Sequence, residues 1–140
     1  IGKIGLTKAI EHLLELSKKA IPAEFDSTVE NIDNLLDEKG ELHIYRILQE
    51  CLNNTSKYAD ATTISLKIIK RTNHFILEYS DNGSGFEMSK GKVLNEKGGL
   101  GLMDIRERSN LLSADFSIYS EPAKGFKLHL KIPLERVKNG

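Results

Sequence analysis

HFILEYSDNGSGF, residues 74–86, reads as a strand that runs straight into a glycine loop. Phe75, Leu77 and Tyr79 alternate with His74, Ile76 and Glu78, the period of a half-buried strand. Asp81 closes the run, with Gly83 and Gly85 just beyond it. Strand ends that turn on glycine are where α/β folds keep their ligands. A carboxylate at that point can accept a hydrogen bond from an exocyclic amine such as adenine's, and the glycines leave room for a flat ring against backbone. A plain Asn-Gly hairpin turn would explain Asn82-Gly83. It would not explain Gly85 or the long polar stretch that follows.

Outward from this stretch the pattern repeats. Ile64, Leu66 and Ile68 alternate with Ser65 and Lys67, and residues 71–74 turn the chain between the two strands. Phe116, Ile118 and Tyr119 mark a further strand and Pro122 to Gly125 a turn. Phe126, Leu128, Leu130 and Ile132 then alternate with Lys127, His129 and Lys131, which puts His129 toward solvent. Helical spacing appears at Leu6, Ala9, Ile10, Leu13, Leu14 and Leu16, and Ile21-Pro22 ends that helix near Ala20. Ala23 to Val29 suits a short strand, and Asn31 to Gly40 reads as loop. A second helix is predicted from about Glu41 to Tyr58, burying Leu42, Tyr45, Ile47, Leu48, Cys51, Leu52 and Thr55. A third spans Met103 to Leu112. The sum is an α/β (α+β) two-layer sandwich of helices on a mostly antiparallel sheet, in one domain covering residues 1–140.

Two further segments carry chemistry. On the second helix Glu50, Asn54, Lys57 and Tyr58 fall three and four apart, hence on one face. A carboxylate, an amide oxygen, a cation and a phenol in one stripe suit a polyphosphate with its metal, since Mg²⁺ takes one or two protein oxygens and completes its shell with phosphate and water. A merely solvated helix face is the plain alternative. Gly98-Gly99-Leu100-Gly101-Leu102 leads into the third helix, where backbone N–H groups can cradle phosphate. It is neither a Walker A loop nor a Rossmann fingerprint. Residues 86–97, with Lys90, Lys92, Glu96 and Lys97, have the composition of a lid or a surface loop.

Composition narrows the classes. Twenty basic and twenty acidic residues cancel, which removes the electrostatic case for nucleic acid or a membrane surface. No apolar run approaches the roughly 20 residues of a spanning helix, and no signal-peptide pattern opens the chain. Cys51 is the one cysteine, so an internal disulfide is impossible and a reducing compartment fits. His12, His43, His74 and His129 lack ligand spacing.

In order and spacing these motifs resemble the ATP-binding catalytic domain of bacterial sensor histidine kinases, within the GHKL superfamily and its Bergerat nucleotide-binding fold. QECLNNTSKY resembles the N box, DNGSGF the first glycine box and GGLGL the second. YRILQECLNN and GLMDIRERSNLLSADFSIYSEPAKG also read like members, so the likeness covers nearly the whole chain. Residues 1–20 are similar to the helix that follows a dimerisation and phosphoacceptor domain. The lid and N box look most like kinases paired with LuxR-type response regulators.

The resemblance implies a mixed, mostly antiparallel sheet covered on one face by about three helices. It implies ATP and Mg²⁺ as ligands, with Asn54 holding the metal and Lys57 and Tyr58 on phosphates. Asp81 would take the adenine amine, Gly83 and Gly85 would shape the base pocket, and Gly99, Leu100, Gly101 and Leu102 would close over the phosphates. Glu50 and Asn54 are the catalytic candidates, Glu50 as a support of geometry or metal shell. The acceptor histidine is absent, because His12 is followed by Leu13 rather than an acid. The partners implied are the dimerisation helices of a parent kinase and, indirectly, a response regulator. The expected fragment is a monomer and cytoplasmic, whether or not its parent is membrane-anchored. A GHKL ATPase, an anti-sigma-type serine kinase and a degenerate nucleotide-binding module are the alternatives. One departure stands out. Gly125-Phe126 replaces the family's Gly-Thr, which predicts the loss of one polar contact on the Asp81 side of the base.

Overall fold

The computed structural model describes residues 1–86 and 101–134, less the side chains of residues 58 and 59. The chain runs α1 (Leu6–Ala20), β1 (Glu24–Val29), α2 (Glu38–Asn54), β2 (Thr63–Lys70), β3 (His74–Asp81), α3 (Leu102–Leu111), β4 (Asp115–Ser120) and β5 (Phe126–Pro133). Five strands form one sheet in the order β1-β2-β3-β5-β4. β1 pairs with β2 in parallel, because α2 crosses between them; the other three pairings are antiparallel. The mixed, mostly antiparallel two-layer sandwich expected from the sequence is therefore present.

Alternation fixes which sheet face carries the helices. Ile64, Leu66 and Ile68 of β2, Phe75, Leu77 and Tyr79 of β3, and Leu128, Leu130 and Ile132 of β5 are all buried on that face. On the other face Lys67, Glu78 and His129 lie abreast in register, and His129 Nδ1 sits 2.9 Å from Glu78 Oε2. His129 accordingly faces the polar side, as its position in the alternation requires.

The helices begin and end for local reasons. α1 has no capping side chain of its own; instead Thr7 N–H donates to Asp33 Oδ1 at 2.8 Å and Ile32 N–H to Thr7 Oγ1 at 3.0 Å. α2 starts at Glu38 rather than Glu41. Asp37 is its N-cap, accepting from Gly40 N–H at 2.7 Å, and Glu38 and Glu41 in the first turn favour the positive end of the helix dipole.

Two helical faces differ from expectation. α2 buries Gly40, Ile44, Ile47, Leu48, Cys51 and Leu52, a stripe that leaves Leu42 43% exposed and Tyr45 at its margin. Ile44, fully buried, was absent from the expected set. On α1 the stripe of Leu6, Ala9, Ile10, Leu14 and Ser17 leaves Leu16 in solvent. The third difference bears on the site. α2 stops at Asn54, and Thr55–Ala59 is a π-helical turn closed by Asp60 in the left-handed region. The α-helical spacing that placed Lys57 and Tyr58 beneath Asn54 therefore does not hold past Asn54.

Candidate functional site

Asp81 is the last residue of β3, held between Ile64 of β2 and Phe126 of β5. It is 9% exposed, so its carboxylate needs partners. Oδ1 accepts from Gly83 N–H at 2.9 Å and Oδ2 from Thr55 Oγ1 at 2.8 Å. Thr55 Oγ1 also lies 2.7 Å from Tyr79 Oη and 3.1 Å from Cys51 O. A hydroxyl has one proton, and the carboxylate is the stronger acceptor. Thr55 thus donates to Asp81, and Tyr79 donates to Thr55. Burial pushes the Tyr79 phenol well above its ordinary range, which keeps that proton in place. Burial also pushes the Cys51 thiol up, so Cys51 acts as a small core side chain.

The loop after Asp81 is fastened on both sides. Asn82 Oδ1 accepts from Thr62 and Thr63 N–H at 2.8 and 2.9 Å, and its Nδ2 donates to Thr62 Oγ1, so Asn82 clips the loop to the start of β2. Phe86 N–H donates to Ser120 Oγ at 3.0 Å, and Ser120 Oγ–H to Gly125 O at 2.6 Å. A Cβ on Gly85 would overlap the Glu121 carbonyl oxygen, so the β4–β5 turn itself demands this glycine. Gly83 is buried and serves Asp81 through its N–H.

Phe126 lies in the same wall. Its ring meets Tyr79 edge-on with centroids 6.4 Å apart and Phe86 at 6.0 Å. The polar contact expected to be lost there has a counterpart. Asp81 does receive a hydroxyl, from the end of α2 rather than from β5.

A second cluster lies along α2. Glu50 and Asn54, four apart and both within the α-helical part, share a face. The Glu50 carboxylate rests against Gly101, the N-cap of α3, whose φ is 68°; a Cβ there would overlap Glu50 Oε1. Burial raises the Glu50 carboxyl above the usual 4.5, and Asp104 raises it further; Lys57 and Arg108 pull the other way. Arg108 Nε pairs with Asp104 at 3.0 Å and its Nη1 donates to His43 Nδ1 at 3.0 Å. Arginine cannot accept, so His43 carries its proton on Nε2. Burial, then Arg108, lowers the His43 pKa.

Of the residues expected in a site, Asp81, Gly83 and Gly85 fall in the first cluster, and Glu50, Asn54 and Gly101 in the second. Lys57 is exposed on the π turn, close enough to act on Glu50. The Leu102 side chain is in the core at 1% exposure, so only its backbone can meet a ligand. Tyr58 belongs to the π turn, but its side chain lies outside the described residues, as do Gly98, Gly99, Leu100 and residues 87–97 of the expected lid. Sequence reasoning gave no role to Thr55, Tyr79, His43, Asp104 or Arg108. One signal was available. Thr55 is a hydroxyl on the otherwise apolar stripe of α2, and a buried polar group implies a buried partner.

Among the described residues no group of three or more His, Cys, Asp or Glu could hold a metal, and no helix is long and apolar enough to cross a membrane. The first cluster can bind a donor such as an amine. The second offers an amide oxygen, a carboxylate, a lysine and a helix N-terminus whose N-cap, Gly101, has no side chain to cap it.

Comparison with known proteins bears on what occupies such a pair of clusters. Residues 39–136 match the family described as histidine kinase-, DNA gyrase B-, and HSP90-like ATPase. Sensor histidine kinase ComP of Bacillus subtilis is 31% identical over 131 residues, covering 94% of this chain and 17% of ComP. Sensor protein VraS of Staphylococcus saprophyticus is 31% identical over 133 residues, covering 94% of this chain and 36% of VraS. The chain thus spans about a third or less of these two relatives. The histidine kinase domain of the Erythrobacter litoralis EL346 blue-light activated kinase superposes with a TM-score of 0.77 at 18% identity, over 96% of this chain and 64% of that one. The ATP binding domain of PrrB from Mycobacterium tuberculosis does so with a TM-score of 0.68 at 18% identity, over 93% and 94%.

Proposed function

Since the chain belongs to the histidine kinase-, DNA gyrase B- and HSP90-like ATPase family, we propose that it is the ATP-binding catalytic domain of a two-component sensor histidine kinase. Residues 1–140 act as one unit, cytoplasmic and monomeric in isolation, which binds Mg-ATP. It gives up the γ-phosphoryl group to a histidine on separate dimerisation helices, from which the phosphoryl group reaches a response regulator. The observation that carries this reading is Asp81. It is a strand-end carboxylate, nearly buried, with each oxygen already engaged once and acceptor capacity left for one more donor.

The adenine amine donates to Asp81, and the base lies beside the loop of Gly83 and Gly85. The phosphates reach the second cluster, where Lys57 and the first-turn N–H groups of α3 offset their charge. The donor set fits a hard cation supplied with its nucleotide. Asn54 offers one neutral oxygen, and no carboxylate cage stands among the described residues to hold a metal alone. Asn54 would hold Mg²⁺, which when bound neutralises the charge that develops on the transferred phosphoryl group. Glu50, beside Gly101, supports the geometry of the phosphate cluster or the metal shell. This chain's work is positioning and charge; the acceptor histidine and its base belong to the partner helices.

Isothermal titration of ATP and ADP with and without Mg²⁺ tests the reading. Binding in which ATP gains from Mg²⁺, and which weakens by about 1–3 kcal/mol in Asp81→Asn, is the expected result. No binding at millimolar nucleotide refutes it.

A further inference from the structure

We infer that Thr55, backed by Tyr79, determines base specificity: a buried hydroxyl relay locks the Asp81 carboxylate as an acceptor for a purine 6-amino group and against a 6-oxo purine. The inference rests on the adenine reading above and names residues which that reading does not use.

The relay runs in one direction. Tyr79 Oη donates to Thr55 Oγ1 and Thr55 Oγ1 to Asp81 Oδ2, while Gly83 N–H donates to Oδ1. Thr55 and Tyr79 are 2% and 1% exposed, so neither hydroxyl can turn to water instead. Their rotors are also constrained. Thr55 is β-branched and stiff at χ1, and it stands where α2 passes into the π turn, its N–H shared between Cys51 O and Leu52 O. Tyr79 lies between neighbouring strands with Phe126 against its ring. Each carboxylate oxygen is thereby held by a donor that cannot swing.

Rotation is what a 6-oxo purine would require. Hypoxanthine presents a carbonyl where adenine presents its amine, and two acceptors facing each other repel. Its nearest donor is N1–H, one ring position away. A carboxylate free to turn could reach it; one tied at both oxygens cannot without surrendering a buried hydrogen bond. The relay therefore acts through Asp81. Thr55 and Tyr79 are positioning residues, and their effect belongs in the ratio between two bases rather than in affinity alone.

The test is titration of the whole chain with ADP and with IDP, for wild type, Thr55→Val, Thr55→Ser and Thr55→Val/Tyr79→Phe, with circular dichroism to verify folding. Thr55→Val keeps the shape and removes the hydroxyl. It should weaken ADP about tenfold and IDP about twofold or less, so the preference falls about five- to tenfold. Thr55→Ser restores the hydroxyl and should restore most of the preference. The double variant leaves no orphaned phenol, so it decides the matter should the single variant fold poorly, and it too must lose the preference. An unchanged ADP-to-IDP ratio in folded Thr55→Val or in the double variant overturns the inference while leaving the nucleotide site standing. Equal loss in Thr55→Ser and Thr55→Val overturns it as well. Failure of the wild type to bind ADP removes the proposed function and this inference with it.

Discussion

Gly125 and Gly101 share a left-handed backbone, at φ 77° and 68°, yet alanine should cost very different amounts at the two positions. The strain of placing an L-residue there is common to both, roughly 1 kcal/mol. What the new Cβ meets is not common. At Gly125 it overlaps the Asp81 carbonyl oxygen and comes within 3.1 Å of Asn82 Cα, both backbone atoms at the junction of β3 and the glycine loop. That junction is fixed by β3–β5 pairing and by the Asn82 clip to Thr62 and Thr63, so it cannot yield locally. Overpacking against such a wall adds about 1–3 kcal/mol, for a total near 2–4. At Gly101 the overlap is with the end of the Glu50 side chain, which can swing away, so the cost stays near the ~1 kcal/mol of strain. At about 3 °C per kcal/mol for a chain of this size, Gly125→Ala should lower Tm by about 6–12 °C and Gly101→Ala by about 3 °C. Gly2→Ala, at φ 39° with open space around it, is the reference for strain alone. Thermal melts and urea unfolding of the three variants measure this. A Gly101→Ala loss as large as that of Gly125→Ala, or a Gly125→Ala loss no larger than that of Gly2→Ala, would refute the argument.

Three other outcomes follow from burial and charge. The Glu50 pKa is raised on folding, so the native state binds its proton more tightly and this group's contribution to stability falls as pH rises through and above 4.5. Glu50→Gln should therefore be more stable than wild type at pH 7, with the gain shrinking as melts are run toward pH 4; a gain that grows on acidification would contradict it. His43 is the opposite case. Its folded pKa lies below 6.5, so its contribution is present above 6.5 and is lost as pH falls through the lowered value. Melts between pH 8 and 5 should show a decline in wild type that His43→Gln lessens. Finally, Ile44→Ala should cost about 2–5 kcal/mol and Leu42→Ala about 1 or less in urea unfolding, since Ile44 is fully buried and Leu42 is 43% exposed.

Strand alternation made most of the sheet legible. β2, β3 and β5 each bury every second residue, and a period of two cannot be mistaken when one face is polar. The helical faces are less legible. On α2 the pair Leu42 and Ile44 are both strong hydrophobes two residues apart, and only the position of the sheet decides which of them is covered. The π turn left no mark on the periodicity. Thr55, Ser56 and Lys57 satisfy an α-helical spacing as readily as a wider one, so the sequence gives no sign that the helix widens into a π turn at Thr55. Asp81 was visible because a carboxylate at a strand end before two glycines has few structural uses. Thr55 on the apolar stripe of α2 signals a buried partner without naming it, because its hydroxyl and that of Tyr79 meet only when α2 lies across β3.

That crossing gives the end of α2 a double task. Consecutive residues on a helix point about 100° apart, so Asn54 and Thr55 cannot serve the same side. Thr55 turns into the sheet to hold Asp81, while Asn54 keeps the face it shares with Glu50. The two clusters are thus joined by one peptide bond, and a change at either position must be felt at the other. A bulkier or differently branched residue at 55 would shift the first π turn, and with it Lys57, even though it touches neither phosphate nor metal. The Thr55→Ser variant separates these effects. It keeps the hydroxyl but drops the methyl that packs in the core, so any loss of Mg²⁺-dependent ATP affinity beyond the loss for metal-free ADP reports the backbone shift. If the two losses are equal, the base cluster and the phosphate cluster are independent, and the shared helix end is only a common scaffold.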